Sequence, residues 1–352
     1  MKRSTRQGLR KLAALTAACT LFASGCSDGG GSGGGDDQSD SDATTLTVYS
    51  GRNVELIEPL VEIFEKESGI DVELRGGGTP ELAAQILTEG DNSPADVFFA
   101  QDAGALGAVA KTGQFEKLPA DIIGLVPDTY RADDSTWVGT SGRSRVIIYN
   151  PDLVPNPPTE IDGLLDPQWK GQLGFAPTNA SWHSFVTALR LLRGEDGARD
   201  WLEKFIANEP QAYENNAVVR DAVDAGDIAM GPINHYYLYE LIDEVGADKV
   251  TAKNQFLSGG DPGGLVNVAG VGILASAPHR DAALEFVRFL LGTEAQEYFA
   301  TATFEYPLVA GVDPPEGVPS LDSLEPPEID LADLDSLEET LDLLAEVGLL
   351  TR

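Results

Sequence analysis

Cysteine is almost missing: the 352 residues contain only Cys19 and Cys26, both near the N-terminus. The chain beyond them has no thiol for a disulfide, a Cys-based zinc site or a nucleophile. It must be held together by its apolar core, and about 310 residues are ample for that, most simply as two lobes. Histidine is scarce as well, with three in the chain. Outside the Gly/Ser-rich stretch at 25–35, whose composition alone produces GxSxG matches, no HExxH, GxSxG or P-loop pattern occurs, and Gly76-Gly77-Gly78-Thr79 lacks the lysine that a phosphate loop requires. These gaps argue against an enzyme. Basic residues are outnumbered, 24 Lys and Arg against 57 Asp and Glu, for a net charge of −33. A nucleic-acid backbone would be repelled over most of such a surface, so nucleic acid is excluded as a partner.

What the chain does have begins with a leader. Lys2, Arg3, Arg6, Arg10 and Lys11 precede an apolar run over 12–22, and Ala23-Ser24-Gly25-Cys26 follows. The run is too short for a permanent membrane helix and reads as a secretory signal. Its end resembles a lipobox, which makes 1–26 a lipoprotein signal peptide with Cys26 as the lipidated residue. Residues 27–43, rich in Gly, Ser and Asp, read as a flexible tether. The expected location is the outer face of the cytoplasmic membrane, held there by lipid.

From residue 44 onward, strands and helices alternate. Strands are expected at 46–50, 70–74 and 96–100, with helices around 56–64 (Pro59 near the start, Gly69 at the end), 81–89 and 103–111. This order argues for parallel βαβ units. Two strands, 137–140 and 146–149, are then expected around the polar run Ser141 to Arg145. A second α/β stretch follows: a strand at 172–176, helices at 182–193, 198–207 and 217–225, and a strand at 228–231. A strand at 266–275 returns to the first lobe, with helices at 281–291 and 294–302 and a last helix at 337–347. The expected division is 44–142 plus about 265–304 for the first lobe, and 143–264 plus about 305–352 for the second. Two α/β lobes with more than one crossing, on an exported chain, suggest a solute-binding protein that closes like a hinge, with its ligand in the cleft between the lobes.

The stretch Gly231 to Glu240 (GPINHYYLYE) sets two phenols side by side at a helix start. Asn234 is the expected N-cap, and Leu238, Leu241 and Ile242 give the helix a buried stripe. Tyr236 and Tyr237 then lie in its first turn, where free amides and the helix dipole favour anions. Neighbouring helical residues are about 100° apart, so both oxygens could meet one ligand only beyond the helix mouth. From the residues alone, the pair reads either as a phenolate site for a hard cation or as two boundary aromatics.

Several segments in order carry a wider likeness: TLTVYSGR at 45–52, GDNSPADVFFAQ at 90–101, VGTSGRSRVIIYN at 138–150, WKGQLGFAPT at 169–178, INHYYLYEL at 233–241, DPGGL at 261–265 and EYPL at 305–308. Together they resemble the ferric-iron-binding proteins of bacterial ABC importers. The resemblance implies a two-lobe, type II-like periplasmic-binding-protein fold that carries Fe(III) in its cleft. It places the paired ligand tyrosines on Tyr236 and Tyr237. Phenolate is a hard anionic oxygen suited to Fe(III), and a trivalent ion can ionise a phenol at neutral pH. The family's first-lobe His and Glu ligands fall on Asn53 and Gln101, neutral amides that are poor donors to Fe(III). A further tyrosine of one branch falls on His183, a third candidate ligand or a satisfied helix-start histidine.

The resemblance also implies a synergistic anion, carbonate or phosphate, in a pocket that maps onto Asn179, Ala180, Ser181, Asn216 and Asn234. Arg143 is a candidate to face that anion; for Arg143 and Arg145 alike the other reading is a surface ion pair. Implied partners are a membrane permease and its ATPase, met by a monomeric carrier. The rival reading is a protein of the same fold for a metal-free solute: a polyamine, a thiamine-like ring or a phosphoester stacked on the tyrosines.

Overall fold

Short apolar strands followed by amphipathic helices build βαβ units at the start of residues 45–350, which the computed structural model describes. The expected signal, Cys26 and the tether lie outside the described residues. The first units are β1 (Thr45–Ser50), α1 (Val54–Ser68), β2 (Asp71–Gly76), α2 (Thr79–Glu89), β3 (Val97–Ala100) and α3 (Ala103–Lys111). β1 pairs in parallel with β2 and with β3, as the alternation predicts. α1 buries Ile57, Leu60, Val61 and Phe64 and ends at Gly69, whose φ of 72° suits a residue without Cβ. Pro59 lies inside this helix instead of near its start.

The next elements are α4 (Ala120–Ile123), β4 (Val138–Tyr149), β5 (Gly174–Phe175), α5 (Ala180–Ala207), β6 (Gln211–Ala212), α6 (Asn216–Ala225), β7 (Met230–Asn234) and α7 (Tyr236–Val245). The last are β8 (Lys253–Phe256), β9 (Val266–Ile273), α8 (Arg280–Leu290), α9 (Thr293–Ala302), β10 (Tyr306–Pro307) and α10 (Leu337–Glu346). The main sheet runs β2-β1-β3-β9-β4-β10, and β7 and β8 pair with the far end of β4. The two helices expected at 182–193 and 198–207 are one run, α5, kinked where Gly194 leaves helical geometry at φ 71°.

β4 is the largest departure from expectation. Instead of two strands around a turn it is one strand of 12 residues, and Ser141 to Arg145 lie buried in its middle. Its first half pairs antiparallel with β9 and β10, and its second half with β7 and β8. The polar run reads as turn chemistry because nothing local reveals that its side chains find partners at long sequence range. One strand thereby belongs to both halves of the molecule. Residues 141, 143 and 145 share a face by the two-residue period of a strand.

The buried apolar side chains form separate clusters on either side of this crossing. The first joins β1, β3, β9 and the helices on them. Another is built on α5, where Trp182, Phe185, Trp201 and Phe205 pack ring on ring, with Trp201 and Phe205 stacked at 5.1 Å. Each such pair contributes about 0.5–1.5 kcal/mol beyond its buried area. Tyr306, Leu308, Val318, Leu324, Leu331 and Leu334 belong to the first cluster, while Leu343 and Leu344 of α10 belong to that on α5. This differs from the expected assignment of everything after about 305 to the second lobe. β10 takes the edge of β4's first half, and the leucines that follow cover apolar surface there.

The tail is seated closely. Cβ atoms added at Gly104 and Gly107 would lie 2.5 Å and 2.4 Å from the carbonyls of Leu334 and Ala332, so α3 accepts the segment because these positions have no side chain. Beyond Ser336, α10 is fixed to α5 by the Thr187 to Thr340 hydroxyl contact at 2.7 Å and by Arg190, which donates to the Ser336 carbonyl at 2.9 Å. We expect Gly107→Ala to destabilise the protein by about 1–3 kcal/mol, the usual cost of overpacking. It should also make the chain around 331–335 the first site of limited proteolysis. An unchanged urea midpoint and digestion pattern would show that the backbone is not seated this way.

Candidate metal centre

α7 starts directly from the buried strand β7, and this abrupt junction fixes the two tyrosines. His235, at the junction, is fully buried. Its Nδ1 accepts from the Ser144 N–H at 3.2 Å, and its Nε2 donates to the Phe304 carbonyl at 2.9 Å. Burial pushes its pKa down to about 4, so the ring is a neutral strut with both nitrogens in use. Asn254 donates to the His235 carbonyl at 2.8 Å and closes the other side. Asn234 does not cap the helix as expected. Its side-chain oxygen accepts from Arg145 Nη1 at 3.4 Å, and the start of α7 has no side-chain cap.

Tyr236 and Tyr237 stack with ring centroids 4.3 Å apart and planes 30° from parallel, both half-buried. Their side chains bound two cavities. The first, of about 140 Å³, is lined also by Gln101, Asp102, Arg143, Arg145, Asn179, Ser181 and Asn234. The second, of about 330 Å³, is lined also by Arg52, Asn53, Gln101, Glu240, Thr303 and Glu305. Burial raises the Tyr236 phenol well above its ordinary pKa, with Tyr237 adding to the shift and Arg143 opposing it. Without a cation this phenol keeps its proton at neutral pH; a bound cation has to displace it.

The guanidiniums give the site its sign. Arg143 and Arg145 are 5% and 3% exposed, which rules out the surface ion pair allowed above. Arg143 donates to the Gln101 carbonyl, and its Nε stands 3.8 Å from Glu305. That carboxylate is shared, since Arg52 holds it through two bonds of 2.9 and 2.7 Å. Burial would raise Glu305, but Arg52 and then Arg143 outweigh it and hold the carboxyl below its usual range. Arg145 has neutral partners: Ser181 Oγ at 2.7 Å, Asn234 Oδ1 and the Pro232 carbonyl at 2.8 Å. It makes no ion pair with a carboxylate among the described residues, and burial pushes its pKa down to about 10. A buried cation with only neutral partners creates a demand for an anion.

Most of the expected anion pocket is assembled around that charge. Asn179 caps α5, its oxygen accepting from the Ser181 N–H at 3.0 Å and from the Ser181 hydroxyl at 2.7 Å. Asn179, Ala180, Ser181, Asn234 and Arg143 line the first cavity. Asn216 stands behind it, donating to Ser181 Oγ at 3.0 Å. Of the weaker candidate ligands, Gln101 lines both cavities, while Asn53 is exposed at the second and its oxygen caps α1 through the Glu55 N–H at 3.0 Å. His183 is not brought to the tyrosines. Its Nε2 meets the Pro177 carbonyl at 2.8 Å and its ring lines a neighbouring cavity. Its α5 neighbours Ala180 and Ser184 line that cavity with it and also line the first, where His183 does not appear.

Sequence reasoning passed over Arg52, Glu305 and Glu240, and left Arg145 undecided. Two of these had a local signal: Arg145 is two residues from Arg143 on one strand, and Glu240 is one helical turn beyond the tyrosines. Among the described residues, no group of three or more His, Cys, Asp or Glu side chains could hold a metal. A cation at this place therefore depends on the phenols.

Residues 59–325 match the family model described as bacterial extracellular solute-binding protein. The chain belongs to that family. The Fe(3+)-binding periplasmic protein of Serratia marcescens is 34% identical over 317 residues, covering 89% of this chain and 93% of the relative. Iron-bound HitA from Pseudomonas aeruginosa superposes with a TM-score of 0.81 at 34% identity, over 87% of this chain and 99% of that one. A Trichodesmium protein (IdiA, FutA) in complex with iron and citrate gives 0.74 at 29%, over 86% and 99%. The fold is thus the mixed α/β, two-lobe solute-binding fold expected above. In this solute-binding protein the strand common to both halves, β4, supplies Arg143 and Arg145 to the cavity beside the tyrosines.

Proposed function

We propose that this solute-binding protein captures Fe(III) together with a small anion, carbonate or phosphate, and delivers it to a membrane permease driven by an ATPase. The observation that carries the reading is the stacked phenol pair bounding a small cavity beside Arg145, a buried guanidinium with only neutral partners. Fe(III) with two phenolates retains a formal charge of about +1, and an anion between it and Arg145 satisfies both cations. The relative at 34% identity is named for Fe(3+) binding, and the neighbour at TM-score 0.81 holds iron. The protein acts as a carrier and not a catalyst. Its halves close about β4 near Ser144, it works as a monomer, and it is held at the outer face of the cytoplasmic membrane by lipid on Cys26.

The test is optical. Tyrosinate bound to Fe(III) has a visible charge-transfer band, so apo protein offered Fe(III) with phosphate or carbonate should colour and should do so at one iron per chain. Protons compete with the ion for the same oxygens. Burial holds the Tyr236 pKa high, so affinity must fall as pH falls, by up to about tenfold per pH unit for each proton displaced. A protein that stays colourless with either anion would favour the metal-free solute. Iron retention that is flat across the acid range would count against phenolate ligation.

A further inference from the structure

Three carboxylates line the two cavities around the tyrosine pair, and two of them are already engaged. Asp102 caps α3, accepting from the Ala105 N–H at 3.1 Å. Glu305 is held by both Nη groups of Arg52 and by the Ser141 hydroxyl at 2.7 Å. Glu240, in the second cavity, is half-buried yet makes no hydrogen bond or ion pair with any described residue. Arg220, the cation whose charge acts on it, is committed to Asp221 and to the Tyr237 carbonyl. A half-buried carboxylate without a partner is costly unless a cation arrives.

Its place on α7 says which cation. With about 100° between neighbours, Glu240 lies about 40° round the helix from Tyr236 and about 60° from Tyr237, between them in projection and one turn further on. Helical side chains lean toward the N-terminus, so the carboxylate leans to the end where the phenols stand. Of the other charges near the pair, Glu305 is shared by Arg52 and Arg143, Asp102 caps α3, and Arg145 has only neutral partners, while Asn53 and Gln101 are neutral amides. With the anion on the first-cavity side, Glu240 is the carboxylate of the second cavity left with coordination to offer an ion held by the phenols.

We propose that Glu240 is a ligand of the ferric site, offering its carboxylate to the ion from the side opposite the anion cavity. The inference rests on the ferric reading above, and its test separates the two. Apo wild-type protein, E240Q and E240D are titrated with Fe(III) in phosphate, and iron retention is measured against rising citrate. Loss of the charge in E240Q is expected to weaken retention by about 10–100-fold, the range seen when a carboxylate supporting a metal site is removed. The charge-transfer band should shift, and the apo thermal midpoint should stay where it was. E240D, which keeps the charge one methylene shorter, should retain iron better than E240Q. Equal retention and an identical band in wild type and E240Q would overturn the role of Glu240 and leave the ferric reading standing. A wild-type protein without the band would overturn both.

Discussion

Exchanging Tyr236 and Tyr237 together for Phe is expected to abolish the visible band and weaken Fe(III) binding by more than about 1000-fold. A residue that merely supports a metal site already costs about 10–100-fold when removed, and here both proposed ligands are lost. The substitution is conservative for packing, because the rings stacked at 4.3 Å and the apolar contacts beneath them persist. Removal of the hydroxyls should change apo stability by about 1 kcal/mol or less, since each lost hydrogen bond has a small net value. Metal binding and folding are thereby separated in one protein. The check is a citrate-competition titration run beside a urea melt. If the double variant colours and retains iron as the wild type does, the metal is held elsewhere and the stacked pair is only a wall. Each single variant should keep a weaker band, since one phenolate remains.

How much of this was legible beforehand varied with the range of the interaction. The first βαβ units, α7 and its two phenols follow from local periodicity and Gly stops, and the structure places them within a few residues of expectation. Asn179 and Ser181 were pointed to by the resemblance, while the helix expected from 182 in fact starts at Ala180 with Asn179 as its cap. Failure came where a partner lies far along the chain. β4 was broken in two because Ser141 to Arg145 look like a turn, and their justification comes from Glu305, Gln101, Ser181 and Asn234, at separations from 36 to 164 residues. Asn234 was assigned to a cap it does not make because a local bond is what a sequence shows, while Arg145 reaches it from 89 residues away. Segments quoted separately for their likeness, TLTVYSGR, SGRSR and EYPL, meet in space: Arg52, Ser141, Arg143 and Glu305 are parts of one buried cluster.

That cluster carries the largest expected effect on stability. Glu305 is a single carboxylate between two buried guanidiniums, and it also accepts from Ser141 at 2.7 Å and Thr303 at 3.3 Å. Glu305→Ala leaves Arg52 and Arg143 without a counter-charge in a water-poor place. Breaking a buried pair in this way costs about 3–5 kcal/mol, because an uncompensated charge remains. For a domain of this size that corresponds to a fall of roughly 6–15 °C in the thermal midpoint. The damage should also reach the proposed ferric site, since Arg143 lines the first cavity and Glu305 the second. Pairing the change with Arg52→Met should recover part of the loss, since one of the stranded charges goes with it, and the interaction energy then follows from the double-mutant cycle. Thermal melts of the four proteins in apo form would measure it. Additive losses, with no recovery in the double variant, would mean that Glu305 serves the fold through its hydroxyl contacts and not as the counter-ion that joins β1 to the strand shared by both halves.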